Sequence, residues 1–225
     1  AQKGVPFLPI RGIIGSDHGC NYAVKNLAGA VADPAVSQHC KFSGGLFPEY
    51  EKSPPTPPML RALLKGVNPA TGGNFKPVTN TGTRLQNGRE VSNVCHAFDV
   101  PLTASKSISI AGLVFGDVRL LDHAYDAMSR RYQHLATLMD RRASRRGNSE
   151  TVIPTGLALV VEVAEKADRF GNPNAHKHGY FLNLTADHEG LVPRYCAAHP
   201  GRIARAASAA QRQVDRELYR KLKRL

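Results

Sequence analysis

A chain of 225 residues with 42% hydrophobic content is long enough to bury one sizeable core, and it has neither an apolar run able to cross a bilayer nor an opening signal-peptide pattern. Thirty lysines and arginines against 18 acidic residues leave a net charge of +12, which predicts a polyanionic partner. Nucleic acid ranks ahead of a membrane surface, since no basic helix carries the Trp and Phe a membrane face needs; Cys20, Cys40, Cys95 and Cys196, scattered and without a Cys-x-x-Cys pair, argue against a zinc ribbon or disulfide scaffold and predict a cytoplasmic location.

In chain order, residues 1–15 are apolar and turn-rich. Asp17 caps a predicted helix through about Ala32, with Val24, Leu27, Ala28 and Val31 on its inner face and Tyr22 in its first turns. Residues 38–58 read as a loop or arm, because Pro48, Pro54, Pro55, Pro57 and Pro58 oppose regular structure. Residues 59–66 form a short amphipathic helix ended by Gly66. Residues 68–88 are polar, with Asn87-Gly88 marking hairpins or an extended excursion. From Val94 a strand begins, interrupted by Pro101, and leads into a second short strand or a helix start. Residues 117–145 are the clearest helix, with Leu121, Tyr125, Met128, Tyr132 and Leu135 as its apolar stripe. Arg141, Arg142, Arg145 and Arg146 then fall at its far end, either as a solvated face suited to a helix C-terminus or as phosphate contacts.

Residues 157–185 hold the chemistry. A nearly continuous apolar run over 157–165 reads as a buried strand, turn residues fill 166–175, and 176–184 resume a strand. Alternation puts His176, His178 and Tyr180 on one side, and pairing across the turn brings Glu165 near the two imidazoles. Two neutral imidazoles and a carboxylate suit a divalent cation with open positions for substrate oxygens. A His-x-His pair is also often just two polar groups at a sheet end, and Glu162, Asp168 and His188 are rival third ligands. Residues 187–190 make a turn, and residues 201–225 form a basic amphipathic helix with Ile203, Ala207, Ala210, Val214 and Leu218 inward. The element pattern predicts an α+β fold, a central antiparallel sheet flanked by helices, and no Gly-rich phosphate loop is present.

Three blocks in order resemble the MobF-type conjugative relaxases, the TraI/TrwC group of HUH nickases. They are MLRALLKGVNPATGG, then FDVPLTASKSISIAGLVFGD with Ser105 where the family usually has Pro, then GNPNAHKHGYFLNLTADHEGLVPRY. The resemblance runs from about residue 56 to the end and implies one relaxase domain over 1–225, with a palm-like sheet, that stops short of the family's whole nickase domain. It implies a tyrosine that attacks single-stranded DNA at a transfer origin, leaving a 5′-phosphotyrosine and a free 3′-hydroxyl, with Mg²⁺ or Mn²⁺ on the sheet face. It also implies accessory relaxosome and secretion-coupling partners. Asp99 matches the family's acidic residue beside the metal, which orients a ligand imidazole or assists deprotonation of the nucleophile; His176 and His178 match two of three metal-binding histidines. The third falls at Glu165, eleven residues before His176, and a carboxylate is a harder ligand than imidazole. The family's paired tyrosines have no counterpart; Tyr22 stands at about the right distance before the first block, and Tyr50 is the rival. Lys106, Arg141 and Arg142 are candidate DNA contacts, Lys106 being equally readable as a solvated strand-end lysine. Two other readings remain: an origin-binding module of the same fold without nicking activity, and a non-haem metal oxidase, for which the His-x-His order and the charge are poor fits.

Overall fold

The computed structural model describes residues 11–14, 17–75, 83–86, 89–92, 95–146, 149–187, 194–196, 198–199 and 201–223. Strand β1 (Arg11–Ile14) is followed by helix α1 (Asp17–Ala32), the one-turn helix α2 (Pro34–Ser37) and strand β2 (Lys41–Ser43). A turn of 3-10 helix at Tyr50–Lys52 precedes α3 (Pro57–Leu64), the hairpin of β3 (Thr83–Gln86) and β4 (Arg89–Ser92), and β5 (Cys95–Thr103). Helices α4 (Lys106–Leu113) and α5 (Val118–Ala136) lead to a second hairpin, β6 (Asp140–Arg146) with β7 (Ser149–Pro154). The strands β8 (Val160–Ala167) and β9 (Pro173–Leu182) follow, then β10 (Thr185–Asp187), β11 (Arg194–Cys196), β12 (Ala198–His199) and α6 (Gly201–Leu222).

The centre is a five-stranded antiparallel sheet of order β1-β5-β9-β8-β2, flanked by helices as the element pattern predicts. β8 and β9 are its inner strands with β5, and the stretch of β8 from Val160 to Ala164, apolar but for Glu162, is wholly buried because both sheet faces are covered. One face meets α5. There the Tyr132 hydroxyl lies 2.9 Å from Val100 O and 2.7 Å from Lys177 O, tying the helix to β5 and β9. Its ring fits only because position 179 lacks a side chain: a Cβ on Gly179 would stand 2.4 Å from Tyr132 Cε1. Gly179→Ala is therefore expected to lower stability by about 1–3 kcal/mol through overpacking, read as a fall in thermal midpoint. A midpoint equal to the parent would show that the ring can withdraw freely.

Helix α6 packs on α5 and β5 through Ile203, Ala207, Ala210, Val214 and Leu218, the residues its sequence pattern turns inward. Gln211 clasps the open edge of β5, accepting from Thr103 N at 3.0 Å and donating to Thr103 O at 2.8 Å. Pro101 shares the edge-facing parity of Thr103, so its missing N–H costs no ladder bond, and β5 runs through it rather than stopping.

Three expectations need correction. Residues 38–58 are not an arm: Lys41–Ser43 pairs with β8, and Phe42, Phe47 and Tyr50 pack ring on ring, so burial overrides the prolines. The long helix ends at Ala136, where Thr137 caps it. Met139 O then accepts from Thr155 N and Gly156 N, and the arginine run becomes strand β6, for which β-branched Thr151, Val152 and Ile153 supply the partner. On α1 the buried stripe is Ala23, Val24, Leu27 and Ala30, one step round from the predicted face, with Ala28 exposed.

Candidate metal centre and nucleophile

The β8–β9 turn sets the register of the site. Asp168 Oδ1 accepts from Phe170 N at 2.9 Å and Asn172 N at 3.0 Å, and Gly171 supplies the left-handed residue (φ +81°). With that turn fixed, Glu165 pairs directly with His176 and Val163 with His178. Glu165, His176 and His178 thus share one face, and one donor atom from each lies within 4.8 Å of the others.

Outer partners decide which imidazole nitrogen carries the proton. His176 Nδ1 donates to Asn174 O at 2.8 Å, and His178 Nδ1 donates to the Asp99 carboxylate at 2.9 and 3.0 Å. Both acceptors hold the proton on Nδ1, so both Nε2 lone pairs face Glu165, at 3.6 Å for His176 and 3.9 Å for His178. Burial pushes the His176 imidazole below its ordinary pKa, against the pull of its bond to Asn174 O, and so keeps it neutral and able to ligate. Glu165 Oε1 is buried with no hydrogen-bond partner. A carboxylate oxygen left bare beside two aimed lone pairs is costly without a cation, so this donor set fits a divalent metal. Asp99 acts through His178; Asp99→Asn should weaken Mn²⁺ affinity about 10–100-fold while leaving the fold intact, as measured by calorimetric titration. Unchanged affinity would remove Asp99 from the centre.

The rivals separate cleanly. Glu162 and Lys177 point to the opposite face, where Lys177 Nζ lies 2.6 Å from Glu162 Oε2, and Ser129 and Ser43 hydroxyls donate to the same carboxylate. Burial is the largest influence on the Glu162 carboxyl and would raise it, but the Lys177 and Lys41 ammoniums together with the hydrogen bonds from Lys177 and Ser129 outweigh it, and the net shift is downward. Because a one-residue slip would swap faces, this buried pair also opposes a register that would put Lys177 at the metal. Asp168 is spent on its own turn, and His188 lies outside the described residues.

Tyr22 stands on α1 beside the cluster. Its ring meets His178 edge-on at 6.4 Å between centroids, and it remains 51% exposed. Tyr50 is buried, and its hydroxyl donates to Asn68 Oδ1 at 2.7 Å. Tyr180 stacks on His178 but is enclosed, and burial raises its pKa well above the usual phenol value. Lys106 opens α4; its ammonium donates to Pro173 O at 2.7 Å and sits 4.0 Å from Asp168, at the hairpin turn rather than the cluster. Arg141 lies on β6 in a separate three-stranded sheet, and the side chain of Arg142 lies outside the described residues. Sequence reasoning missed Tyr125, whose hydroxyl donates to Glu165 O at 3.0 Å, with His39 tilted against its ring at 4.6 Å and bonded to Asp122 at 3.0 Å. Its place in an apolar helical stripe gives no hint of that bond.

Comparison with known proteins follows the same lines. A family model described as TrwC relaxase matches residues 36–225, a span that begins after Tyr22. The multifunctional conjugation protein TraI of Escherichia coli (strain K12) is 30% identical over 93 residues, which are 41% of this chain and 5% of that protein. A second TraI from Escherichia coli is 29% identical over 108 residues, 48% of this chain and 6% of that protein. The alignments thus span only about a twentieth of the curated relatives' length. Among solved structures, the metal-bound conjugative relaxase TrwC in complex with oriT DNA superposes with a TM-score of 0.74 at 18% identity, covering 96% of this chain and 70% of that one. TrwC with a 27-mer DNA comprising the recognition hairpin and cleavage site gives a TM-score of 0.70 at 19% identity, covering 96% and 69%. At such identities the superpositions speak for the fold.

Proposed function

This chain belongs to the TrwC relaxase family, and we propose that it nicks single-stranded DNA at a plasmid transfer origin through a tyrosine ester and can rejoin the strand. The observation that carries this reading is an exposed phenol bordering two imidazoles and a carboxylate whose donor atoms converge. In it, Tyr22 Oη gives up its proton and attacks phosphorus, the P–O3′ bond breaks, and the leaving 3′-oxygen takes up a proton, so that proton loss and gain balance. The phosphotyrosine conserves the phosphodiester bond energy, so resealing needs no nucleotide cofactor. Asp99 holds His178 in one tautomer, and Asn174 O does the same for His176. Glu165, His176 and His178 would hold a divalent cation, which would supply Lewis acidity at the scissile phosphate. With one hard carboxylate in the set, Mg²⁺ or Mn²⁺ is the favoured ion.

The +12 charge supports a DNA partner, and accessory relaxosome and secretion-coupling proteins acting in the cytoplasm complete the reading. No described helix is long and apolar enough to cross a membrane. The test is incubation with a labelled random single-stranded library and Mn²⁺, followed by a denaturing gel. A covalent protein–DNA band that EDTA abolishes is expected. Binding without any band in Mg²⁺, Mn²⁺, Co²⁺ or Ni²⁺ would overturn nicking and leave an origin-binding module of the same fold.

A further inference from the structure

The His178 ring has a neighbour on its face as well as at its edges. Asp99 takes the Nδ1 proton at 2.9 Å and Tyr22 meets the ring edge-on, while Tyr180 lies nearly parallel to it, with centroids 5.7 Å apart and an interplanar angle of 12°. Two residues beyond His178 on β9, Tyr180 shares the face of the metal cluster, directly across from Asp99 on β5 and Val161 on β8. The side chain is wholly buried, so its hydroxyl would be costly without a partner. That partner is on α1: the Asn26 amide donates to the Tyr180 oxygen.

Asn26 follows Tyr22 by four residues, one turn along the same stripe of the helix. One side chain of β9 therefore touches a metal ligand with its ring and the nucleophile's helix with its oxygen. The helix has use for such a tie. Its buried stripe of Ala23, Val24, Leu27 and Ala30 packs by contact that carries no direction. Toward the end of β8 it borders a cleft of about 250 Å³, and a Cβ on Gly29 there would meet nothing within 4 Å. The Tyr22 ring is 51% exposed, so its place follows from the helix that carries it rather than from packing round the ring.

We infer that Tyr180 and Asn26 are positioning residues that tie the nucleophile's helix to the metal ligand His178. Tyr180 takes its place from the face of the imidazole and passes it through the Asn26 amide to α1, and Tyr22 is thereby held at a fixed distance from the cluster. The inference rests on the strand-cutting reading above, in which Tyr22 is the attacking group. A reacting atom displaced by about 1 Å can cost on the order of 100-fold in rate, so a bond that sets this distance acts on the chemical step and not on binding.

Tyr180→Phe removes one oxygen and keeps the ring on His178, and Asn26→Ala removes the partner from the helix side. With Mn²⁺ and an oligonucleotide that the parent cleaves, the single-turnover rate of adduct formation should fall at least about tenfold in each. The double variant should be no slower than the slower single, because both changes break one bond. Mn²⁺ affinity by calorimetric titration and DNA affinity by anisotropy should stay near those of the parent. A merely structural role would lower the thermal midpoint and leave the rate below it unchanged. A second readout needs neither metal nor DNA: fluorotyrosine incorporated at Tyr22 gives a fluorine resonance shifted by the neighbouring imidazole, and in both variants it should move toward its value in the unfolded chain. If the parent forms no adduct, the nicking reading fails and this resonance alone decides the tie. Should the buried Tyr180→Phe fail to fold, the half-buried Asn26→Ala carries the test. Folded variants that keep the parent's rate and resonance would overturn the inference. A loss of rate matched by an equal loss of Mn²⁺ affinity would overturn it too, since Tyr180 would then serve the metal and not the phenol.

Discussion

Tyr22→Phe is expected to abolish the proposed covalent DNA adduct and to leave single-stranded DNA affinity near that of the parent. The substitution removes one oxygen and keeps the ring that stands edge-on to His178, so the α1 surface and the charge that holds DNA are unchanged. No other tyrosine whose side chain is described is placed to substitute. Tyr50 is buried with its hydroxyl given to Asn68, Tyr125 gives its own to Glu165 O, and Tyr132 faces the opposite side of the sheet. Tyr180 is closest in sequence to the histidines, but its burial disfavours the phenolate a nucleophile needs. Tyr219 is exposed on α6, with the Lys223 ammonium over its ring. The measurement is a denaturing gel of labelled DNA with parent and variant, alongside fluorescence anisotropy for affinity. An adduct that persists in the variant, and maps to a peptide with a different tyrosine, would remove Tyr22 from the chemistry.

How much of this was legible in the sequence depends on the range of the interaction that decides each element. The β8–β9 hairpin was, because alternation and turn chemistry are local: Gly171, Asn172 and Pro173 fix the turn, and counting from it puts Glu165 across from His176. Helix α6 was, because its inward residues keep a helical period over its whole length. Strand β2 was not. Lys41–Ser43 is three residues in a proline-rich stretch, and it becomes a strand only because β8 offers an edge about 120 residues later. The end of α5 was missed for a related reason. Nothing between Ala136 and Asp140 breaks a helix outright, and the chain leaves it because Thr155 and Gly156 capture Met139 O from the far side of a hairpin. The Asp99–His178 bond joins residues 79 apart, so spacing alone could not suggest it.

Glu165→Ala should lose divalent-metal binding by more than the roughly 10–100-fold that removal of an outer partner costs, and DNA cleavage should fall with it. The carboxylate is one of three donors, and without it two imidazoles remain on one strand with no anionic charge among them. Glu165→His is the more informative change. It replaces a hard anionic oxygen with a borderline neutral nitrogen, so affinity should shift from Mn²⁺ and Mg²⁺ toward Co²⁺, Ni²⁺ and Cu²⁺. A third imidazole also adds a proton competitor, so metal binding by the histidine variant should weaken more steeply as pH falls through the ordinary histidine range near 6.5. His176 does not set that limit in the parent, since its burial already holds its own titration lower. Calorimetric titration of each metal at two pH values on parent, alanine and histidine forms reads both effects. An alanine variant that binds Mn²⁺ as tightly as the parent would show that Glu165 Oε1 is bare for some other reason. The cation would then have to be held by the two imidazoles and the DNA itself.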